Sequence, residues 1–448
     1  MKIIQKVIVI LFITIFNQAA ENTEYWHSGL PDNWEVYYEF IISDSLIKGK
    51  YVSYLNGMQF AGGKTGNTII QNDSINMVIN TTTNIVFKGK YNQDKTIING
   101  MNYYPNGSTL NLTMKKLPAP FPNPFYPRLV NDTTLKIPKL TEDGINITTF
   151  EKAGFSKESA EKMIKKIIAG DFGEIHAVLI AKDNNLVMEE YFYDYDIDKL
   201  HRLHSCTKSI ISLLYGIALG QNQCPSLDTK ISDFLSEYEI SSDLYKITVE
   251  DLLGMSSGLS RISVTPTSNT DWIKKILETK PEFRAGRKFR YNDNNSHLIG
   301  YLMSRSIKYP INDYAEKVLF KPLEINQYHW EYENDLPKAH TGISLTARDF
   351  MKIGIMVSNN GYWQGKEIIN SDWIQKSTNP RKKAYKKYHY GLHWWSLKYG
   401  REYYPLAQGS GGQRMIIFPE DKIVCIVYGG NFNSWHPLDE LLFDIIDK

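Results

Sequence analysis

The sequence predicts an α+β domain, an antiparallel sheet with flanking helices and an inserted helical lobe, preceded by a small all-β domain. Three observations predict it. Short alternating runs broken by turn pairs (Asn56-Gly57, Gly62-Gly63, Asn106-Gly107) fill residues 21–116. An apolar hairpin pattern occurs twice, near residues 177–192 and again at 414–428. Helix-spaced segments lie between these hairpins, so one sheet is built from both ends of the domain with the helical lobe inserted.

Taken in order, residues 1–20 read as a signal peptide. Lys2 and Lys6 precede an apolar run from Val7 to Phe16, and Asn17-Gln-Ala-Ala20 supplies small residues for cleavage. The run is short for a transmembrane helix, so a secreted or periplasmic protein without stable membrane insertion is expected. An uncleaved anchor is the alternative. In the β-domain, 21–116, segments such as Ile85–Tyr91 and Thr96–Tyr104 read as adjoining strands. Residues 117–140 form a linker stiffened by five prolines between Pro118 and Pro127. The main domain, 141–448, opens with a helix near Glu158–Ile168 and a hairpin, Ala177–Lys182 with Leu186–Phe192. Helical patterns then alternate with loops to about residue 377. The chain closes with the hairpin Arg414–Phe418 and Ile423–Tyr428, then a helix near Leu438–Asp447.

At 448 residues, 42% hydrophobic and 22% charged, the chain is of globular composition with room for two or three domains. A net charge of +2 argues against a nucleic-acid binder. The three cysteines, Cys206, Cys224 and Cys425, make no disulfide framework, because Cys206 and Cys224 flank a helix too long to bridge. The spacings His201/His204 and His389/His393 suit one helix face, but no carboxylate or cysteine completes a metal set. No cofactor is expected.

Chemistry concentrates at Ser205-Cys206-Thr207-Lys208, at the mouth of the apolar helical run Ser209–Leu219. Residues three apart share a helix face, so the Lys208 amine can reach the Ser205 hydroxyl. A serine needs a base to become a nucleophile, and a desolvated lysine can serve. The Ser205 backbone N–H at a helix start can help hold an oxyanion. Another Ser-x-x-Lys, Ser159–Lys162, lies among charges and reads as a solvated helix face. Cys206 has no spaced base partner and is not read as a rival nucleophile. Three later segments add to the pattern: Leu252-Leu-Gly-Met-Ser-Ser-Gly-Leu259, Phe289-Arg-Tyr-Asn-Asp-Asn294 and Gln408-Gly-Ser-Gly-Gly-Gln413. The adjacent Trp394-Trp395 reads as packing or as a pocket wall. Arg381-Lys-Lys383 and Lys386-Lys387 read as a solvated face.

In this order the motifs resemble the serine hydrolases related to class C β-lactamases, D-alanyl-D-alanine peptidases and 6-aminohexanoate-dimer hydrolases. The resemblance spans roughly residues 170–435 and implies a β-lactamase/transpeptidase-like domain. It implies Ser205 as nucleophile, Lys208 as base or proton shuttle, and Tyr291 serving the leaving group. The backbone N–H groups of Ser205 and Gln413 would form the oxyanion hole. Gly411 and Gly412 would lie on a substrate-facing edge strand with which an extended substrate pairs. Lys64-Thr65-Gly66 imitates the family's final motif but precedes the serine, and is read as a decoy. Two departures matter. Asp293 stands where the β-lactamases have asparagine, suiting a cationic group or an orienting contact to Lys208. Ser410 stands where they have a carboxylate-binding lysine, which shifts the expectation to a small ester or amide cleaved through an acyl-enzyme. The alternatives are a binding or sensing protein of this fold, a true β-lactamase or D-alanyl carboxypeptidase, and a structural role led by the β-domain.

Overall fold

The computed structural model describes residues 23–31, 34–43, 46–55, 58–80, 84–118, 125–128, 132–262, 271–333, 335–432, 442–443 and 446. The expected signal peptide lies outside them, as does most of the expected final helix.

The N-terminal strands Thr23–Leu30, Trp34–Ser43, Leu46–Leu55, Met58–Lys64, Thr68–Gln71, Ser74–Asn80, Ile85–Tyr91, Ile97–Tyr103 and Thr109–Lys116 form one sheet. Trp34–Ser43 pairs with both Thr23–Leu30 and Leu46–Leu55, which closes eight of the nine strands into a ring, with Met58–Lys64 added alongside. Closure removes most free edges. Strand alternation sends Trp26, Tyr38, Phe40, Met77, Phe87, Ile98 and Met114 inward, where they form a packed core. Lys64-Thr65-Gly66 belongs to this barrel, with Thr65 N–H bonded to the Gly49 carbonyl.

Two described residues of the expected linker are fastened, one to each domain. Phe125 stacks on Tyr25, centroids 6.3 Å apart. Arg128 Nε donates to the Tyr191 carbonyl at 2.8 Å, and its guanidinium pairs with buried Glu190. Met58–Lys64 of the barrel lies beside the short strand His201–Arg202, just before Ser205.

The second sheet has the order Asn146–Ile147, Asn185–Tyr191, Ile175–Lys182, Ile423–Gly429, Arg414–Phe418, Glu402–Gln408, Trp395–Tyr399, Tyr388–Tyr390, Lys382–Tyr385. Both expected hairpins are present, and Ile175–Lys182 pairs directly with Ile423–Gly429. Alternate residues feed two cores. Val178, Ile180, Ile416 and Cys425 pack with Ala160, Met163, Ile164 and Ile167 of the helix Lys157–Ala169. Leu179, Ala181, Ile417 and Ile426 pack with the helices Thr207–Gly220 and Ala347–Ser358. Burial on both faces explains why the central strands read as unbroken apolar runs. Ser159–Lys162 lies on the outer helix, Ser159 N–H bonding the Ser156 cap and Lys162 exposed.

One expectation is corrected. Arg414–Phe418 and Glu402–Gln408 are interior strands, so Gly411 and Gly412 sit in the loop joining them and not on an edge. Each of the two strands bonds a neighbour on both sides along part of its length. Lys382–Tyr385 is an edge strand, and its lysines blunt further pairing.

Candidate active site

Ser205 sits in the 3-10 turn His204–Cys206, which runs straight into the helix Thr207–Gly220. That helix is apolar on nearly every face, and residues Thr207 through Ala218 are buried. Ser209 and Ser212 do not break the pattern, since their hydroxyls donate to the carbonyls of His393 and Leu392 at 2.9 and 2.7 Å. His204 before the serine has φ +49°, a left-handed conformation that costs a non-glycine residue roughly 1–3 kcal/mol. The sharp entry leaves Ser205 half-buried at the head of a buried helix.

Lys208 comes one turn later, 1% exposed. Its Nζ donates to Ser205 Oγ at 3.1 Å and to the His340 carbonyl at 2.7 Å, and pairs with Asp293 Oδ1 at 2.8 Å. It also lies 4.9 Å from the centre of the Tyr291 ring. Burial acts to lower the lysine pKa, but Tyr291 and Asp293 together outweigh it and hold the amine above its usual range. Burial likewise acts to raise the Asp293 carboxyl, and Lys208 outweighs that and holds it below the usual carboxylate range. Lys208 therefore carries a proton at neutral pH. Asp293 thus meets Lys208 directly, as the orienting use expected of it requires.

Tyr291 is half-buried and stacks on Trp395, centroids 5.6 Å apart and planes 18° from parallel. Trp395 thus walls the site, whereas its neighbour Trp394 is 1% exposed and belongs to the core. Asn292 caps the helix Asp293–Ile307, accepting from Asn294 N–H at 3.1 Å. The segment Leu252–Leu259 holds this loop in place. Arg290 N–H donates to the Met255 carbonyl at 2.7 Å, Asn292 Nδ2 to the Leu259 carbonyl at 2.8 Å, and Ser257 Oγ to Asn295 Oδ1 at 2.6 Å. The sequence flagged that segment without giving it this work.

The glycine loop closes the other side. Cys206 Sγ donates to the Gln413 carbonyl at 3.6 Å, which sets Gln413 beside the nucleophile turn. A side chain at Gly409 would stand 2.3 Å from the Leu203 carbonyl oxygen, so only glycine allows the loop this close. Gly411 and Gly412 have φ of +82° and +99°. The Gln413 side chain is spent on structure, donating to the Ser410 and Gly429 carbonyls at 2.8 and 2.9 Å. Ser410 is exposed at the loop tip. Ser205, Lys208, Tyr291 and Asp293 thus share one site, and Gln413 meets them through its backbone. Cys206 is fully buried, and burial pushes its thiol up, away from a reactive thiolate.

The expected histidine pairs do other work. His201 Nε2 meets His176 Nδ1 at 2.8 Å, and His176 Nε2 meets Glu174 Oε1 at 2.9 Å. His393 Nε2 meets Ser296 Oγ at 3.2 Å. A grouping the sequence reading missed is His297, Glu333 and His340, next to Asp293. These positions are 36 and 7 residues apart, and no local spacing announces them.

The model of the family described as Beta-lactamase matches residues 176–442, more than half of the chain. The Staphylococcus aureus protein flp (strain N315) is 23% identical over 199 residues, 40% of this chain and 40% of that protein, so the chain spans well under two thirds of the curated relatives it matches. A beta-lactamase/D-alanine carboxypeptidase from Pseudomonas syringae superposes with a TM-score of 0.54 at 15% identity, covering 64% of this chain and 98% of that one. A penicillin-binding protein homologue from Caulobacter crescentus gives 0.52 at 15% identity, covering 64% and 93%. At such identities these structures speak for the fold. The chain belongs to the Beta-lactamase family and carries the β-lactamase/transpeptidase-like fold.

Proposed function

We propose that this protein hydrolyses a small ester or amide through an acyl-enzyme on Ser205. The observation that carries the reading is the contact set of one buried amine: Lys208 Nζ lies 3.1 Å from Ser205 Oγ and 2.8 Å from Asp293 Oδ1. Substrate entry strips water from the Lys208–Asp293 pair, and a drier setting favours the neutral form of both partners. Nζ passes a proton to Asp293, and its lone pair then takes the Ser205 proton as Oγ attacks the carbonyl carbon. The oxyanion gathers at the backbone N–H groups of Ser205 and Gln413. As the carbonyl reforms, the bond to the leaving alcohol or amine breaks, and that group takes a proton relayed by Lys208 and Tyr291. Water, giving its proton to the same relay, releases the acid and restores Ser205.

Ser410 in place of a lysine leaves this loop without the cation that would hold a carboxylate, which favours esters and amides other than penicillins. The barrel of residues 23–116 is an accessory unit on this reading, and the protein works outside the cytoplasm, as residues 1–20 suggest. Intact-mass analysis after a fluorophosphonate, and separately after a penicillin, tests the proposal with Ser205→Ala alongside. A phosphonate adduct lost in the variant supports it. A penicillin adduct as well would move the substrate class to β-lactams. Failure of both would replace hydrolysis with binding or sensing.

A further inference from the structure

Directly behind Lys208, three metal-ligand side chains converge from separate elements. His297 lies one helical turn after Asp293 on the helix Asp293–Ile307. Glu333 ends the short strand Tyr332–Glu333, which pairs with Leu336–Pro337, and His340 follows shortly after. One ligand atom from each residue lies within 4.8 Å of the other two. His297 Nε2 stands 3.9 Å from Glu333 Oε2, and the two imidazole rings are 4.0 Å apart, tilted by 39°. A cavity lined by Trp272, His297, Tyr301, Ser304, Glu333 and Lys338 opens beside them.

We propose that His297, Glu333 and His340 bind a divalent transition-metal ion of the zinc class. Two imidazole nitrogens and one carboxylate oxygen are the protein ligands of an open tetrahedral site whose fourth position takes water. The nitrogen content disfavours Mg²⁺ and Ca²⁺, which take oxygen ligands. Ligands 2.0–2.2 Å from one ion stand roughly 3.3–3.5 Å apart, so side-chain movements on the order of 1 Å close the set. His340 Nδ1 is buried with no hydrogen-bond partner among the described residues, and a metal ion would supply a partner. Lys338, which lines the same cavity, pairs with Glu331 at 3.1 Å.

The ion would tie the helix carrying Asp293 to the segment whose His340 carbonyl accepts from Lys208. It acts as a brace that positions the amine and takes no part in bond breaking. The inference stands independently of the acyl-enzyme reading.

The test uses the full chain without an affinity tag, stripped by a chelator and then titrated with Zn²⁺ and with Co²⁺. Retention after equilibrium dialysis should reach one ion per chain, with the intense visible absorption of low-coordinate cobalt and a higher melting temperature. His297→Ala and the near-isosteric Glu333→Gln should each weaken retention by at least about tenfold. His176→Gln, in the other histidine pair, should leave it unchanged. Far-UV circular dichroism of the stripped variants confirms folding, and Glu333→Gln decides the matter if His297→Ala does not fold. Lack of retention at micromolar Zn²⁺, or equal retention in wild type and Glu333→Gln, overturns the proposal.

Discussion

Lys208 and Arg348 are both buried cations, 1% and 3% exposed, yet they have opposite characters. Arg348 Nε and Nη2 grip Glu189 at 2.7 and 2.6 Å, Nη1 reaches Asp143 at 3.0 Å, and Thr141 and the Lys139 carbonyl take further bonds. Its main partner is itself buried, and a guanidinium does not give up its proton. Lys208 has as many partners as its amine has protons, but the Asp293 side chain is 38% exposed and Ser205 is half-buried. Its proton can leave toward groups that face the opening. Burial alone does not mark a working group; an exchangeable proton with a route out does.

The sharpest way to break the comparison is to remove each cation. Lys208→Met should slow phosphonylation of Ser205 by about 10²–10⁴-fold, with the fold kept because Asp293 reaches water. Arg348→Met should do the reverse. It leaves Glu189 buried with the Tyr191 hydroxyl but no counter-charge, costing about 3–5 kcal/mol in denaturant unfolding, while the folded fraction reacts at the wild-type rate. Equal effects on stability and reactivity in both variants would erase the distinction.

Asp293→Asn should cost roughly ten- to hundredfold in acylation at neutral pH, and its pH profile is the finer reading. Asp293 is held below the usual range and Lys208 above it. The pair's stabilisation is therefore lost as pH falls through the folded Asp293 value and as pH rises through the folded Lys208 value. In the variant the carboxylate no longer offsets the desolvation of Lys208, so the amine deprotonates at lower pH. Acylation should then climb with pH across the neutral range, where wild type is flat. A flat variant profile would remove Asp293 from the proton path. Smallest of all, Ser410→Lys should speed reaction with carboxylate-bearing substrates a few-fold, about what an exposed ion pair contributes.

What the sequence disclosed was local. Ser205 and Lys208 lie one helical turn apart, and Tyr291 and Asp293 share a loop, so each pair was legible in a few letters. Their meeting was legible only through the family resemblance, because it depends on the Met255 and Leu259 carbonyls fastening that loop. The same limit explains the misplaced glycines. Whether Arg414–Phe418 is an edge depends on Glu402–Gln408 and Ile423–Gly429 flanking it, and alternation within one strand says nothing about its neighbours. The closed ring of the N-terminal sheet was hidden likewise, since turn signals mark strands and not the pairing of Trp34–Ser43 with both neighbours.

The pairing of Ile180 with Cys425 has a further consequence for the order in which the molecule takes shape. The barrel's last strand ends at Lys116, so all its pairings are available once that residue has left the ribosome. The sheet beneath the serine needs strands from Arg414 onward. At roughly 5–20 residues per second, the two events are separated by about 15–60 s. Within that interval, from its own synthesis onward, Ile175–Lys182 has an apolar edge still lacking the Ile423–Gly429 strand, of the kind that invites aggregation. The barrel precedes it on the growing chain and supplies an edge-poor unit while the half that carries Ser205 waits for its closing strands.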